Sequence, residues 1–464
     1  MQKQQLLVGL PPEWPESLLG EIRVLVKADG RTLVVLDDDP TGTQTVANIP
    51  VLTEWSIASL CAELNSDFPA FYILTNSRSL PEAEAVQLNH EIGQNLLAAS
   101  RQTGRDFAVV SRSDSTLRGH FPAELDALEA VLERPFDGWL LIPFFLEGGR
   151  FTINDIHYVQ EGEALIPAGE TPFAQDGTFG YQSSNLGEWV VEKSNGRIQS
   201  HQIHSISLTD IRQGGAAQIS PQLQQICNGE LAVVNAVSYR DLEVFTHGLL
   251  LAEAAGKRFL YRTAASFVPI RAGLPSVPLL TPAQLKMPAS GGGLIMVGSY
   301  VPKTTRQLEH LLRQTAVYPI ELLVEALLDE AAQPAEVTRV AALADEALAA
   351  EQDVVIYTSR TLIKQHNGHS GLAVGQQISH SLVQIGQALA HRPRYLVAKG
   401  GITSSDIATK ALNVKRAIVA GQILPGVPVW QLGNRSRWPG LPYIVFPGNV
   451  GEDDALARLI NQLR

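Results

Sequence analysis

Six short apolar runs, each ending in a burst of small, acidic or basic residues, constrain this chain more than any other feature. Four lie in the N-terminal half. Thr32–Leu36 runs into Asp37-Asp38-Asp39-Pro40-Thr41-Gly42, and Phe71–Leu74 into Thr75-Asn76-Ser77-Arg78. Phe107–Val110 runs into Ser111-Arg112-Ser113-Asp114-Ser115, and Trp139–Ile142 into Pro143 and on to Gly148-Gly149-Arg150. Further on, Leu294–Val297 leads into Gly298-Ser299 and Tyr395–Ala398 into Lys399-Gly400-Gly401. A strand buried on both faces reads as a continuous apolar run, and an open parallel sheet binds its ligands just beyond the strands' carboxyl ends. The pattern predicts an α/β protein with mainly parallel sheets and its chemistry gathered at those ends. Carboxylates and guanidiniums held together suit a small, polar, anionic substrate.

Between the runs, apolar residues recur at helical spacing over Ser56–Leu64, Pro81–Ser100 and Pro122–Leu132, and again over Thr304–Leu312 and Pro334–Ala350. Pro81–Ser100 and Pro122–Leu132 begin with proline, which the first turn of a helix tolerates. A further strand is expected at Val354–Tyr357, and a short leading helix within residues 8–30. Residues 148–200, rich in Gly, Asn, Asp and aromatics, break the alternation and predict a β-containing insertion near the site. The stretch 272–293 carries Pro275, Pro278, Pro282, Pro288 and Gly291-Gly292-Gly293, a linker composition. The expected organisation is a domain over 1–271, a linker over 272–293 and a second domain over 294–464. The cleft between two such lobes is a natural meeting place for two substrates.

The formal net charge of -11 argues against a nucleic-acid partner, since binding a phosphate backbone needs a basic face. Two cysteines, Cys61 and Cys227, allow neither a disulfide framework nor a cysteine-based metal site. No apolar run reaches the roughly 18 residues of a membrane span, and the N-terminal stretch does not read as a signal peptide. A cytoplasmic location is expected.

Three consecutive aspartates after a buried strand raise one another's pKa, which suits a general base or a metal site; a solvated turn capped by Asp39 is the plainer alternative. Arg78 with Ser111, Arg112, Ser113, Asp114 and Arg118 supplies forks and hydroxyls for a substrate carboxylate, or a structural ion-pair network. In the second lobe, Lys399-Gly400-Gly401-Ile402-Thr403 lets backbone approach phosphate oxygens, although it is not a Walker A loop. Gly298-Ser299, Gly421, Pro425-Gly426 and Gly448-Asn449-Val450-Gly451 add weight to that reading, against ordinary turns between strands and helices. His120 and His157 are either proton shuttles or packed histidines. No ligand spacing points to a protein-held transition metal.

These motifs together resemble the four-carbon acid sugar kinases, a family of two-domain ATP-dependent kinases, over nearly the whole chain. The opening A-D-D-x-T-G is similar to Asp37 through Gly42, and the S-R after the second strand to Ser77-Arg78. The family's K-x-D-S-T-x-R-G resembles Arg112 through Gly119, and its P-x-x-x-x-x-G-R resembles Pro143 through Arg150. Arg262 through Ser266 is also family-like, as are Gly298-Ser299, Gly400-Gly401, Gly421 to Pro428 and Pro447 through Gly451. The chain departs from the pattern at Arg112 (usually lysine), His120 (asparagine), Ile402 (an acid) and Phe446 (lysine).

The resemblance implies phosphorylation by ATP of a hydroxyl on a four-carbon acid such as threonate, erythronate or 3-oxo-tetronate. Substrate and nucleotide would bind in the cleft between the lobes. Asp39, Arg78, Ser111, Arg112, Ser113, Asp114 and Arg118 would meet the acid, with Asp39 or Asp38 as base. Ser299, Lys399, Gly400, Gly401, Ile402, Thr403, Gly421, Gly426, Gly448, Asn449 and Gly451 would meet ATP. Mg²⁺ is expected with ATP rather than held by the protein alone, and a homo-oligomer is left open. The rival enzyme class is a haloacid-dehalogenase-type phosphatase using Asp37 and Asp39, with Thr75-Asn76 as its second motif. That chemistry usually needs a lysine, and none lies between Lys27 and Lys193. A two-lobed sugar-acid sensor without catalysis is the third reading.

Overall fold

The computed structural model describes residues 2–132, 135–298, 301–360, 371–448 and 450–464. Ser299 and Asn449 therefore lie outside the described residues. The chain forms two compact units, Met1–Val46 with Glu54–Ser276, and Ala47–Thr53 with Val277–Arg464.

The first unit is built on a parallel sheet whose strands run, side by side, Ala70–Leu74, Thr32–Asp37, Phe107–Arg112, Phe259–Thr263, Gly138–Ile142, Glu230–Val234 and Ile203–Ile206. The central strands are buried along their whole length, which is why they read as unbroken apolar runs rather than alternating ones. Helices Ile57–Leu64, Glu82–Thr103 and Ala123–Val131 bury one stripe each, through residues such as Leu60, Ile92, Leu96 and Leu125. Ser56 caps the first, and Gly104 ends the second in the left-handed region that favours glycine. The β-containing segment within 148–200 is an antiparallel sheet of Arg150–Ile153, Ile156–Glu161 and Ala164–Pro167, followed by the helix Leu186–Lys193. His157 is fully buried there. It bonds the Ser115 carbonyl through Nε2 at 2.8 Å and Thr152 Oγ1 through Nδ1 at 3.1 Å, tying the insertion to the Arg112–Gly119 loop.

In the second unit, strands Tyr318–Leu322, Val354–Thr358, Leu294–Val297, Leu396–Lys399 and Pro442–Phe446 are parallel neighbours in that order. Val427–Leu432, Arg416–Leu424 and Ile49–Leu52 extend the sheet antiparallel. Ile49–Leu52 belongs to this unit through its pairing with Arg416–Val419, although it lies early in the chain. Leu308, Leu311, Leu456, Leu459 and Ile460 cover Ile295, Val297, Val397 and Ile444 in the core. No helix among the described residues is long and apolar enough to cross a membrane.

Candidate active site

The strand ends of the first unit bring seven charged side chains into one cluster. Asp37 closes the Thr32–Asp37 strand and Arg112 the adjacent Phe107–Arg112 strand, so they meet as register partners. Arg112 Nη1 lies 2.9 Å from Asp37 Oδ1 and 3.4 Å from Asp38 Oδ1. Ser113 donates to Asp38 Oδ2 at 2.8 Å. Arg78, from the next strand end, bonds Asp39 and lies 3.4 Å from Asp114 Oδ1 and 3.9 Å from Asp38 Oδ1. Arg118 Nε closes on Asp114 Oδ2 at 2.8 Å.

Two residues beyond the expected set complete the cluster. Arg262, near the end of the Phe259–Thr263 strand, donates to Ser111 Oγ at 2.7 Å and to Glu124 Oε2 at 2.5 Å. Ser77 donates to the other Glu124 oxygen. Glu124 comes from the first turn of the Ala123–Val131 helix, where an acid reads as a helix-dipole partner, so no sequence signal marked it.

Two glycines are required by close approach. A Cβ on Gly42 would stand 2.2 Å from the Asp37 carboxylate oxygens. One on Gly119, whose φ is +131°, would meet Ser113 Oγ at 2.6 Å and Arg262 Nη2 at 2.7 Å.

The three aspartates titrate differently because their surroundings differ. Burial pushes Asp37 up to about 7, outweighing Arg112, with Asp38 and Asp39 adding to the rise. Burial also raises Asp38, against Arg78 and Arg112. At Asp39 burial is the largest single effect, but Arg78 and the hydrogen bonds from Thr41 together overcome it and hold the carboxyl below its usual range. Asp39 accepts from the Thr41 N–H at 2.8 Å as it caps the following turn. Asp114 is likewise held low, since Arg118 and Arg78 outweigh its burial.

His120 bonds the Leu80 carbonyl at 3.0 Å and packs edge-on to Phe179. The burial of His157 pulls its pKa down to about 4. Between the unfolded value near 6.5 and about 4 the unfolded chain holds more protons at this site, so its contribution to stability falls as pH falls through that window. Asp37, raised to about 7, slopes the other way across this whole window, so the effect is read by difference. His157→Asn is expected to flatten the loss of melting temperature between pH 6.5 and 4 relative to the parent. Parallel pH profiles for the two proteins would refute this.

In the second unit, Lys399 ends its strand as the register partner of Phe446. It is completely buried, with Nζ 4.1 Å from the Phe446 ring centroid, 2.9 Å from the Pro447 carbonyl and 3.5 Å from that of Gly448. Burial, with Lys303 second, pulls its pKa down to about 7. Gly400, at φ +115°, opens the turn into Gly401–Asp406, where Ile402 is exposed and Thr403 buried close to Gly298. Thr304 donates to the Gly448 carbonyl at 3.2 Å, and Gln307 to those of Val450 and Glu452 at 3.0 and 2.8 Å. Lys399, Gly400, Gly401, Thr403, Gly448 and Gly451 thus share one end of the sheet. Gly421 and Gly426 do not join them. They lie at a bulge and in the turn of the Arg416–Leu424/Val427–Leu432 hairpin, with two strands between that first strand and Lys399. The Gly426 N–H is already taken by Gln422 Oε1 at 2.6 Å.

Comparison with known proteins finds similarity along both units. Residues 33–270 match the sugar-binding N-terminal domain family, and residues 294–456 the nucleotide-binding C-terminal domain family. A D-erythronate kinase of Heliobacterium modesticaldum is 24% identical over 318 residues, 66% of each chain. A 3-oxo-tetronate kinase of Methylobacterium radiotolerans is 25% identical over 443 residues, 92% of this chain and 98% of its own. The solved structure of a Haemophilus influenzae protein of the DUF1537 type superposes with a TM-score of 0.63 at 20% identity, over 93% of this chain and all of that one. A Salmonella typhimurium LT2 protein reaches 0.67 at 19% identity, with the same coverage. These two show the fold alone. With both domain families matched in order along its length, the chain belongs to the four-carbon acid sugar kinases, a family of two-domain phosphotransferases.

Proposed function

We propose that this protein transfers the γ-phosphoryl group of ATP to a hydroxyl of a four-carbon sugar acid of the erythronate, threonate or 3-oxo-tetronate type. The observation that carries the reading is the cluster of Asp38, Asp39, Arg78, Ser113, Asp114 and Arg118 at the sheet end of the sugar-binding unit. The substrate hydroxyl oxygen forms the new bond to phosphorus, the bond from phosphorus to the β-phosphate oxygen breaks, and ADP leaves. The hydroxyl proton passes to Asp39, whose side chain is the most accessible of the three aspartates. Phosphoryl transfer asks mainly for positioning and charge stabilisation, so a carboxylate of low pKa suffices if it aligns the hydroxyl.

Lys399 fits a nucleotide phosphate. Its ammonium is buried with two carbonyls and a ring face as the neighbours described above, a charge without a counter-ion among the described residues. The carboxylates of Asp37, Asp38, Asp39 and Asp114 each lie within ion-pair distance of an arginine, a donor set that does not fit a protein-held Mg²⁺. The phosphatase alternative needs Asp37 as nucleophile, and that carboxylate is 1% exposed, shut between Arg112 and Gly42. A panel of tetronates and 3-oxo-tetronates with ATP and Mg²⁺, read by ADP release, tests the proposal. Release with none of them would overturn it, and tetronate binding without turnover would leave the sensor.

Lys399→Met is expected to weaken ATP binding roughly 10- to 100-fold, the loss of one charge-assisted contact. The lysine's folded pKa lies below its unfolded one, so its charged form costs stability at pH 7 and below, and the cost fades as pH rises towards 10.5. The variant should therefore melt higher than the parent at pH 6. Unchanged ATP affinity, read by titration calorimetry, would remove Lys399 from the nucleotide site.

A further inference from the structure

The arginine first expected to take the substrate's carboxylate is already engaged. Arg78 serves Asp39, Asp114 and Asp38, Arg112 serves Asp37 and Asp38, and Arg262 serves Glu124 and Ser111. Arg150 differs from all of these.

It opens the Arg150–Ile153 strand of the insertion. Its backbone is fixed by a reciprocal pair of hydrogen bonds to Phe145, at 2.8 and 3.1 Å. Its guanidinium donates to the Gly148 carbonyl, makes no ion pair among the described residues, and keeps a buried Nε without a hydrogen-bond partner. The guanidinium carbon lies 5.6 Å from the centroid of the Phe173 ring, and that of Arg118 lies 5.1 Å from the same centroid. Asp114 and Arg118 are the charges that act on it most strongly, so it borders the acid cluster rather than the bulk surface. The residue as a whole is half-buried. A partly desolvated guanidinium without a carboxylate is costly until one arrives, and its planar fork matches a carboxylate bidentately.

We propose that Arg150, beside the Asp114-paired Arg118 over Phe173, receives the carboxylate of the sugar acid and sets the preference for an acid over the corresponding neutral polyol. The assignment rests on the reading of the chain as a sugar-acid kinase. Arg78 is then a positioning residue that holds Asp39 and Asp114 in place.

Steady-state kinetics and binding titrations with D-erythronate and erythritol, on the parent protein, Arg150→Met and Arg150→Lys, test it. Methionine keeps an apolar stem over Phe173 and removes the charge. The acid KM and Kd should rise 10- to 100-fold in Arg150→Met, with ATP affinity within about twofold of the parent. Lysine should restore part of the loss, and erythritol binding should not change. Parent-like acid affinity in an Arg150→Met protein that still binds ATP overturns the assignment and leaves the kinase reading standing. Acid binding without turnover in the parent overturns the kinase reading, and the titration still decides Arg150. A parent that binds no tetronate overturns both.

Discussion

Asp39→Asn is expected to lower kcat by roughly 10²–10⁴, the usual cost of losing a general base, while ATP affinity stays at the parent value. The amide keeps the shape of the side chain and its cap on the Thr41 N–H, but it can no longer take the hydroxyl proton. It also loses the charge that anchors Arg78. Because Arg78 and Thr41 hold Asp39 below the usual carboxylate range, the acid limb of kcat should fall low. An acid limb above that range, together with near-parent kcat in Asp39→Asn, would move the base to Asp38, whose pKa burial raises.

Arg262→Met is expected to destabilise the first unit by about 3–5 kcal/mol, because it strands the Glu124 carboxylate in the interior. Both side chains are nearly sealed, at 6% and 3% exposure, and their contact is 2.5 Å. The cost lies in the uncompensated charge rather than in the lost attraction, so the double variant Arg262→Met/Glu124→Gln should regain much of it. Chemical denaturation of the parent, the single and the double variant measures this. A single variant within about 1 kcal/mol of the parent, or a double worse than the single, would show that Glu124 is not a buried anion.

The strands were legible because strands buried on both faces must be apolar throughout. Thr32–Leu36 and Phe107–Val110 fall within the observed Thr32–Asp37 and Phe107–Arg112, which overrun the apolar runs by one and two residues. The helices Ile57–Leu64 and Ala123–Val131 lie within the predicted Ser56–Leu64 and Pro122–Leu132, since their capping and proline signals are local. Ile49–Leu52 was not legible as part of the second unit, because antiparallel pairing with Arg416–Val419 leaves no mark in either segment alone. The glycines at 421 and 426 read like those at 400 and 401 for the converse reason. A bulge, a hairpin turn and a loop open to phosphate all ask for the same backbone freedom.

The α/β class and the residue types at each strand end were legible in the chain alone, because continuous apolar runs and motif order are local features. How those residues share their charges follows from contacts between distant segments. Which aspartate is held low by Arg78, which is pushed up by burial, that Glu124 neutralises Arg262, and that Arg150 has no carboxylate partner among the described residues all depend on distances between segments far apart in the chain. Charge interaction and desolvation are set by separation and burial in space, and no spacing along the chain encodes either.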